Sequence, residues 1–184
     1  MNVISAQACV LVLVDYQARL MPAISNGSAV AAIACRLAQG ARLLGIPVIG
    51  TEQNPSKLGP NMKAIDDECS STIPKMHFDA CADGLLEALK ASNSGCDQVV
   101  IAGCEAHVCL LQTALGLLRA GKRVWVVDNA SGSRRASDHA AAMNRLMQAG
   151  ATIVTHEMVL FEWLHHCEHH QFRKVLELIK AADV

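Results

Sequence analysis

Short, continuous apolar runs alternate along this chain with longer stretches whose apolar residues recur every three or four positions. No other feature constrains the fold as strongly. The runs are "CVLVLVD" (Cys9–Asp15), "PVIGT" (Pro47–Thr51), "DQVVIAG", "KRVWVVDNA" and "ATIVTHE". Runs that are apolar at successive positions read as strands covered on both faces. The first intervening stretch, "SAVAAIACRLAQGARLLG", has helical spacing through Val30, Ile33, Ala34, Leu37 and Leu44. Ser28 is its candidate N-cap, and Gly45 with Pro47 ends it. Further helices are predicted over "ACADGLLEALKAS", weakened by Gly84, and "HVCLLQTALGLLRAG", closed by Gly121. "SDHAAAMNRLMQAG", capped by Ser137 or Asp138, and "QFRKVLELIKAA" complete the set. "EQNPSKLGPNM" reads as a loop, and "STIPKMHFD" (Ser71–Asp79) as extended or irregular. Strands that alternate with helices predict an α/β fold of three layers, a doubly wound, Rossmann-like parallel sheet with helices on both faces. Ligands bind such a sheet beyond the carboxyl ends of its strands. That rule points to Asp15, Thr51, Gly103 with the residues after it, and Asp128.

The length of 184 residues favours one domain over 1–184, and 52% hydrophobic residues can furnish a substantial core. Sixteen Lys and Arg against 17 Asp and Glu give a net charge of -1, which is no footprint for nucleic acid or an anionic membrane. No apolar run approaches the roughly 20 residues that span a bilayer. The opening "MNVISAQACVLVLVD" lacks a basic leader and does not read as a signal peptide. The eight cysteines, at 9, 35, 69, 81, 96, 104, 109 and 167, form no C-x-x-C pair, and several fall in apolar segments. They are expected to be reduced thiols in a cytoplasmic protein, with packing the default role of each.

Two of them need separate treatment. "IAGCEAHVCLLQTALGLL" (Ile101–Leu118) carries Cys104 at the end of a strand and Cys109 at the start of the following helix. A thiol at a helix start lies near unpaired N–H groups and the positive end of the helix dipole, which favour the nucleophilic thiolate. The same N–H groups can receive an oxyanion. Cys104 lacks this placement. From spacing alone, packing of both cysteines in a strand–turn–helix crossover stays open as the alternative.

"GCEAHVCLLQTALGLLRAGKRVWVVDNASGSR" resembles the signature segment of the isochorismatase-like cysteine hydrolases. "VLVDYQARL", "PVIGTEQNPSKLGP" and "IPKMHFDA" resemble, in the right order, three further stretches of that superfamily. The likeness extends from about Cys9 to the C-terminal helix and is nearest to the isochorismatase-domain hydrolases without an assigned substrate. It implies an Asp-Lys-Cys triad at Asp15, Lys75 and Cys109, a cis peptide at Cys104–Glu105, and an oxyanion hole formed by the Glu105 and Cys109 N–H groups. Gln17, Gln53 and Phe78 are candidates for substrate contact. The resemblance also implies a small-molecule substrate and a homo-oligomer, with no cofactor. Bottom-up chemistry agrees: a carboxylate at a strand end can take a thiol proton and pass it to a leaving amine, and a lysine stabilises both charges.

Other features separate the alternatives. The nicotinamidase branch carries an Asp-x-His metal motif after the second strand, where this chain reads "TEQNPSKLGP" without a histidine. No intrinsic metal is therefore expected. "HHCEHH", with His165, His166, His169 and His170, resembles a metal tract but lacks a second cluster to complete a tetrahedral site, so an exposed turn is expected. Glu52 and Glu105 are candidates to face the thiol, and Phe161 and Trp163 to wall a pocket. Three functions stay open: hydrolysis of a small amide or related C–N compound through Cys109, vinyl-ether hydrolysis with Asp15 as acid, and a non-catalytic interaction or redox-sensing role with Cys109 as an oxidisable thiol.

Overall fold

The structure, a computed structural model, describes residues 3–181. Six strands form one sheet: β1 Cys9–Val14, β2 Val48–Gln53, β3 Ser71–Lys75, β4 Gln98–Gly103, β5 Arg123–Val127 and β6 Thr152–Val154. Their spatial order is β3-β2-β1-β4-β5-β6, and every pairing is parallel. This is the doubly wound arrangement, with the strand order reversing between β1 and β4, where a crevice opens at the carboxyl ends.

Eight helices are described: α1 Gly27–Leu43, α2 Pro55–Leu58, α3 Lys63–Asp66, α4 Leu85–Ser92, α5 Leu111–Arg119, α6 Ala136–Gln148, α7 His156–Leu164 and α8 Phe172–Lys180. Side chains of a strand alternate between faces, and β1 shows the consequence. Cys9, Leu11 and Leu13 join one core with Leu37 of α1, Leu160 and Trp163 of α7 and Val175 of α8. Val10, Val12 and Val14 join another with Leu89 of α4, Leu117 of α5 and Leu146 of α6. Both sets are buried, which is why β1 is apolar at every position.

Several element boundaries differ from the sequence reading. Ser71–Lys75 is an edge strand; most of it is at least partly exposed and it contains Pro74, so neither a buried run nor an alternation marked it. An edge strand can carry a proline because one side of its ladder is unused. The last strand stops at Val154, and Thr155 Oγ1 accepts from Met158 N–H at 3.4 Å to start α7, a helix the sequence reading did not anticipate. α1 begins at Gly27, with Asn26 rather than Ser28 as N-cap. A Cβ at Gly27 would meet Met21 O at 2.4 Å, so only glycine admits that close entry. α6 begins at Ala136, with Arg135 as N-cap, placing Ser137 and Asp138 inside its first turn. Gly84, at φ 97°, divides the anticipated second helix into a 3-10 turn (Ala80–Asp83) and α4. Among the described residues, no helix is long and apolar enough to cross a membrane.

Candidate active site at the switch point of the sheet

Asp15 follows β1, Lys75 ends β3, and Cys109 follows β4, so three strands deliver their residues to the carboxyl end of the sheet. Asp15 is fully buried and adopts a left-handed backbone, φ 55°. Its N–H donates to Thr51 O at 3.2 Å, and its Oδ1 accepts from Thr51 Oγ1 at 2.6 Å. Its Oδ2 lies 2.8 Å from Lys75 Nζ, and both side chains are sealed from solvent. Lysine is almost never buried without a partner. Here the ammonium also donates to Gln53 Oε1 at 2.7 Å and to His77 O at 3.4 Å.

Cys109 stands in a π-helical turn, Ala106–Leu110, that leads into α5. Such turns occur often at functional sites. The Cys104–Glu105 peptide before it is cis. Ala106 N–H donates to Gly132 O at 2.7 Å, fixing the turn against the chain after β5. Among the described residues, the N–H groups of Glu105 and His107 have no backbone acceptor. The Cys109 thiol, 6% exposed, donates to Gln53 Oε1 at 3.7 Å, and the charges of Asp15 and Lys75 both act on it.

The charge state of Cys109 departs from the expectation of a thiolate favoured at the helix start. Burial pushes the thiol up to about 12, the Asp15 carboxylate acts in the same direction, and Lys75 opposes both. At neutral pH the resting sulfur therefore holds its proton, and a base must remove it during reaction. Cys104, fully buried in the α1-side core, is likewise pushed up to about 12, by burial above all.

The other anticipated residues have specific places. Gln17 is buried and committed to the loop after β2: its Nε2 donates to Gln53 O and Gly59 O at 3.0 and 2.6 Å, and its Oε1 accepts from Gln53 N–H at 2.9 Å. It thereby shapes the loop. Phe78 is 49% exposed, with its carbonyl accepting from Thr113 Oγ1 at 3.3 Å. Glu105 turns to Arg134, whose Nε lies 2.8 Å from Oε2, so its charge is offset away from the thiol. Glu52 accepts from Asn61 N–H at 2.8 Å. Trp163 belongs to the core on the face opposite Cys109, and Phe161 is 43% exposed, so the proposed aromatic wall is not formed. Asp128 lies beyond the cluster, 3.6 Å from His139 Nε2. His165, His166, His169 and His170 line up in ring contact around an open turn. Among the described residues, no three His, Cys, Asp or Glu side chains come together to hold a metal.

Sequence reasoning missed the residues that fix this geometry. Thr51 was marked only as a strand end. Thr113, one turn after Cys109, also accepts from Ala80 N–H at 3.1 Å and thereby ties the segment after Lys75 to α5. Arg119 reinforces that tie through Asp79 at 2.9 Å, and a Cβ at Gly116 would meet the Asp79 carboxylate at 2.5 Å. These contacts join positions tens of residues apart, so no local pattern announces them.

A doubly wound parallel sheet with a buried polar cluster at its switch point defines a Rossmann-like α/β protein with a candidate site at the carboxyl ends of β1 and β4. Residues 9–158 match the Isochorismatase domain, and the chain belongs to that family, an isochorismatase-like hydrolase family. It is similar to isochorismatase domain-containing protein 1 of Danio rerio, 38% identical over 91% of this chain and 59% of that protein. The chain thus spans little more than half the length of that curated relative. Isochorismatase domain-containing protein 2 of Danio rerio is 34% identical over 96% of this chain and 89% of its own. Among solved structures, the MAR1 ribonuclease from Caenorhabditis elegans superposes with a TM-score of 0.90, at 32% identity over 98% of this chain and 94% of that one.

Proposed function

We propose that the protein is a cysteine hydrolase of a small amide or related C–N compound, with Asp15, Lys75 and Cys109 as its catalytic residues. One observation carries this reading: a sealed carboxylate–ammonium pair meets a nearly buried thiol at a turn whose entering Glu105 N–H has no backbone acceptor. The Cys109 sulfur attacks the substrate carbonyl carbon while Asp15 takes the thiol proton. The carbonyl oxygen gains negative charge, which the Glu105 and Cys109 N–H groups receive. The C–N bond then breaks, Asp15 gives its proton to the departing nitrogen, and a thioester remains. Water attacks the thioester as Asp15 accepts a proton from it. The C–S bond breaks, the acid leaves, and the proton returns to sulfur. Lys75 holds Asp15 in place throughout and stabilises its charge whenever it is deprotonated. The high resting pKa of the thiol fits this order of events, because proton removal is coupled to attack rather than completed beforehand.

The experiment is incubation with a library of small primary amides, followed by intact-protein mass and product analysis. A substrate-dependent adduct on Cys109 is expected, with turnover lost in both Cys109→Ala and Asp15→Asn. Turnover retained by Cys109→Ala sinks the thioester route. Two parallel arms read the rivals: a vinyl-ether substrate, whose cleavage needs Asp15 but no thiol, and an RNA oligonucleotide, prompted by the likeness to the MAR1 ribonuclease.

A further inference from the structure

β2 and β3 end together. Gln53 and Lys75 are paired in register at the last position of each strand, so their side chains leave the same face of the sheet. The Gln53 carboxamide is oriented by its nitrogen, which donates to Met76 O at 2.9 Å. Turning the amide over would aim an NH2 group at the Lys75 ammonium and a carbonyl oxygen at another carbonyl, leaving both ends repelled. Its oxygen therefore faces Lys75 Nζ at 2.7 Å and, as a second acceptance, Cys109 Sγ at 3.7 Å. A carbonyl oxygen has two lone pairs, and here both are engaged. The backbone of the same residue is held by Gln17 Oε1.

We infer that Gln53, anticipated from sequence as a substrate contact, is instead a positioning residue, whose single carboxamide oxygen holds the Cys109 thiol and the Lys75 ammonium at a set separation. The inference rests on the reading of Cys109 and Lys75 as catalytic residues. A neutral acceptor suits this place. It anchors the ammonium without competing with Asp15 for its charge, and it steadies the protonated thiol until substrate arrives. A carboxylate of the same shape would bring a second negative charge beside the sulfur, which disfavours thiolate.

The test is alkylation by iodoacetamide without any substrate, read peptide by peptide, with the exposed Cys167 as internal reference. Well below its pKa, a thiol reacts in proportion to its small thiolate fraction. Gln53→Glu is therefore expected to slow Cys109 relative to Cys167 by about tenfold or more at fixed pH, a tenfold change matching about one unit of pKa. Gln53→Met, which keeps the stem without adding charge, should slow it much less. An unchanged ratio in Gln53→Glu overturns the inference, and so does equal slowing in both variants, which would make the effect one of packing. If Gln53→Glu does not fold, the wild-type protein decides: the Gln53 carboxamide 13C resonance should move when Cys109 is alkylated, and an unmoved resonance counts against the contact. Because these readouts use no substrate, they fail separately from the hydrolase reading. A changed ratio in a protein that turns over no amide would cost that reading alone.

Discussion

Lys75 has no access to water: its ammonium meets Asp15 Oδ2, Gln53 Oε1 and His77 O, and its side chain is sealed. A buried pair is weak as a source of stability but costly to break on one side, because the remaining charge is left uncompensated. Lys75→Met is expected to destabilise the protein by about 3–5 kcal/mol. The double variant Asp15→Asn/Lys75→Met should recover most of that loss while remaining inactive. Urea unfolding of the three proteins checks this, and additive losses would show that the two residues are energetically separate. At this scale the sequence was informative about residue identities and poor about environments. Asp15, Lys75 and Cys109 were named through a family likeness. The high pKa of the Cys109 thiol was not foreseen, because helix-start arguments use local backbone while burial is set by the whole packing around the sulfur.

The elements explain how distant residues meet. β4 lies against β1 with Gly103 opposite Val14, and a Cβ at Gly103 would meet both Val14 Cβ and Val14 O at 2.5 Å. The strand-end glycine lets the turn that carries Cys109 leave the sheet directly beside Asp15. Gly103→Ala should cost about 3 kcal/mol, at the upper end for overpacking because backbone is among the atoms displaced. Hydrolytic activity should fall with it, and a midpoint within error of wild type in urea would show that the two strands can part at no cost. Buried strands such as β1 and β4 were legible as unbroken apolar runs, and helices α1 and α5 as periodic ones. β3 and α7 were harder to read. β3 is exposed along much of its length, and α7 is apolar nearly all round, so its "HEMVLFEWL" lacks a polar face to set its period.

Across the whole molecule, buried thiols tie stability to pH. Burial holds Cys9, Cys69, Cys81, Cys104 and Cys109 at about 12, against roughly 8.5 in an unfolded chain. A group whose folded pKa is the higher one stabilises the fold fully below the unfolded value and loses that contribution as pH rises towards the folded one. Stability should therefore hold to about pH 8.5 and then fall, by roughly 1 kcal/mol for each such thiol over the next full pH step. Urea unfolding at pH 8, 9 and 10 reads the slope, which Cys104→Ala should reduce by about a fifth; an unaltered slope would show that this thiol is not linked to folding. The parts of the molecule are also unequally secured. Lys75 belongs to a border strand with a single neighbour, whereas Asp15 and Cys109 adjoin the two central strands. Both tryptophans, Trp125 and Trp163, report from the opposite half of the sheet and its α1-side core. Partial detachment of β3 would take the cation away while leaving the fluorescence of the protein unchanged. Catalytic failure at a lower urea concentration than the tryptophan signal would expose such local opening, and coincident midpoints would mean that the border strand melts only with the whole. A protein built this way goes silent before it denatures.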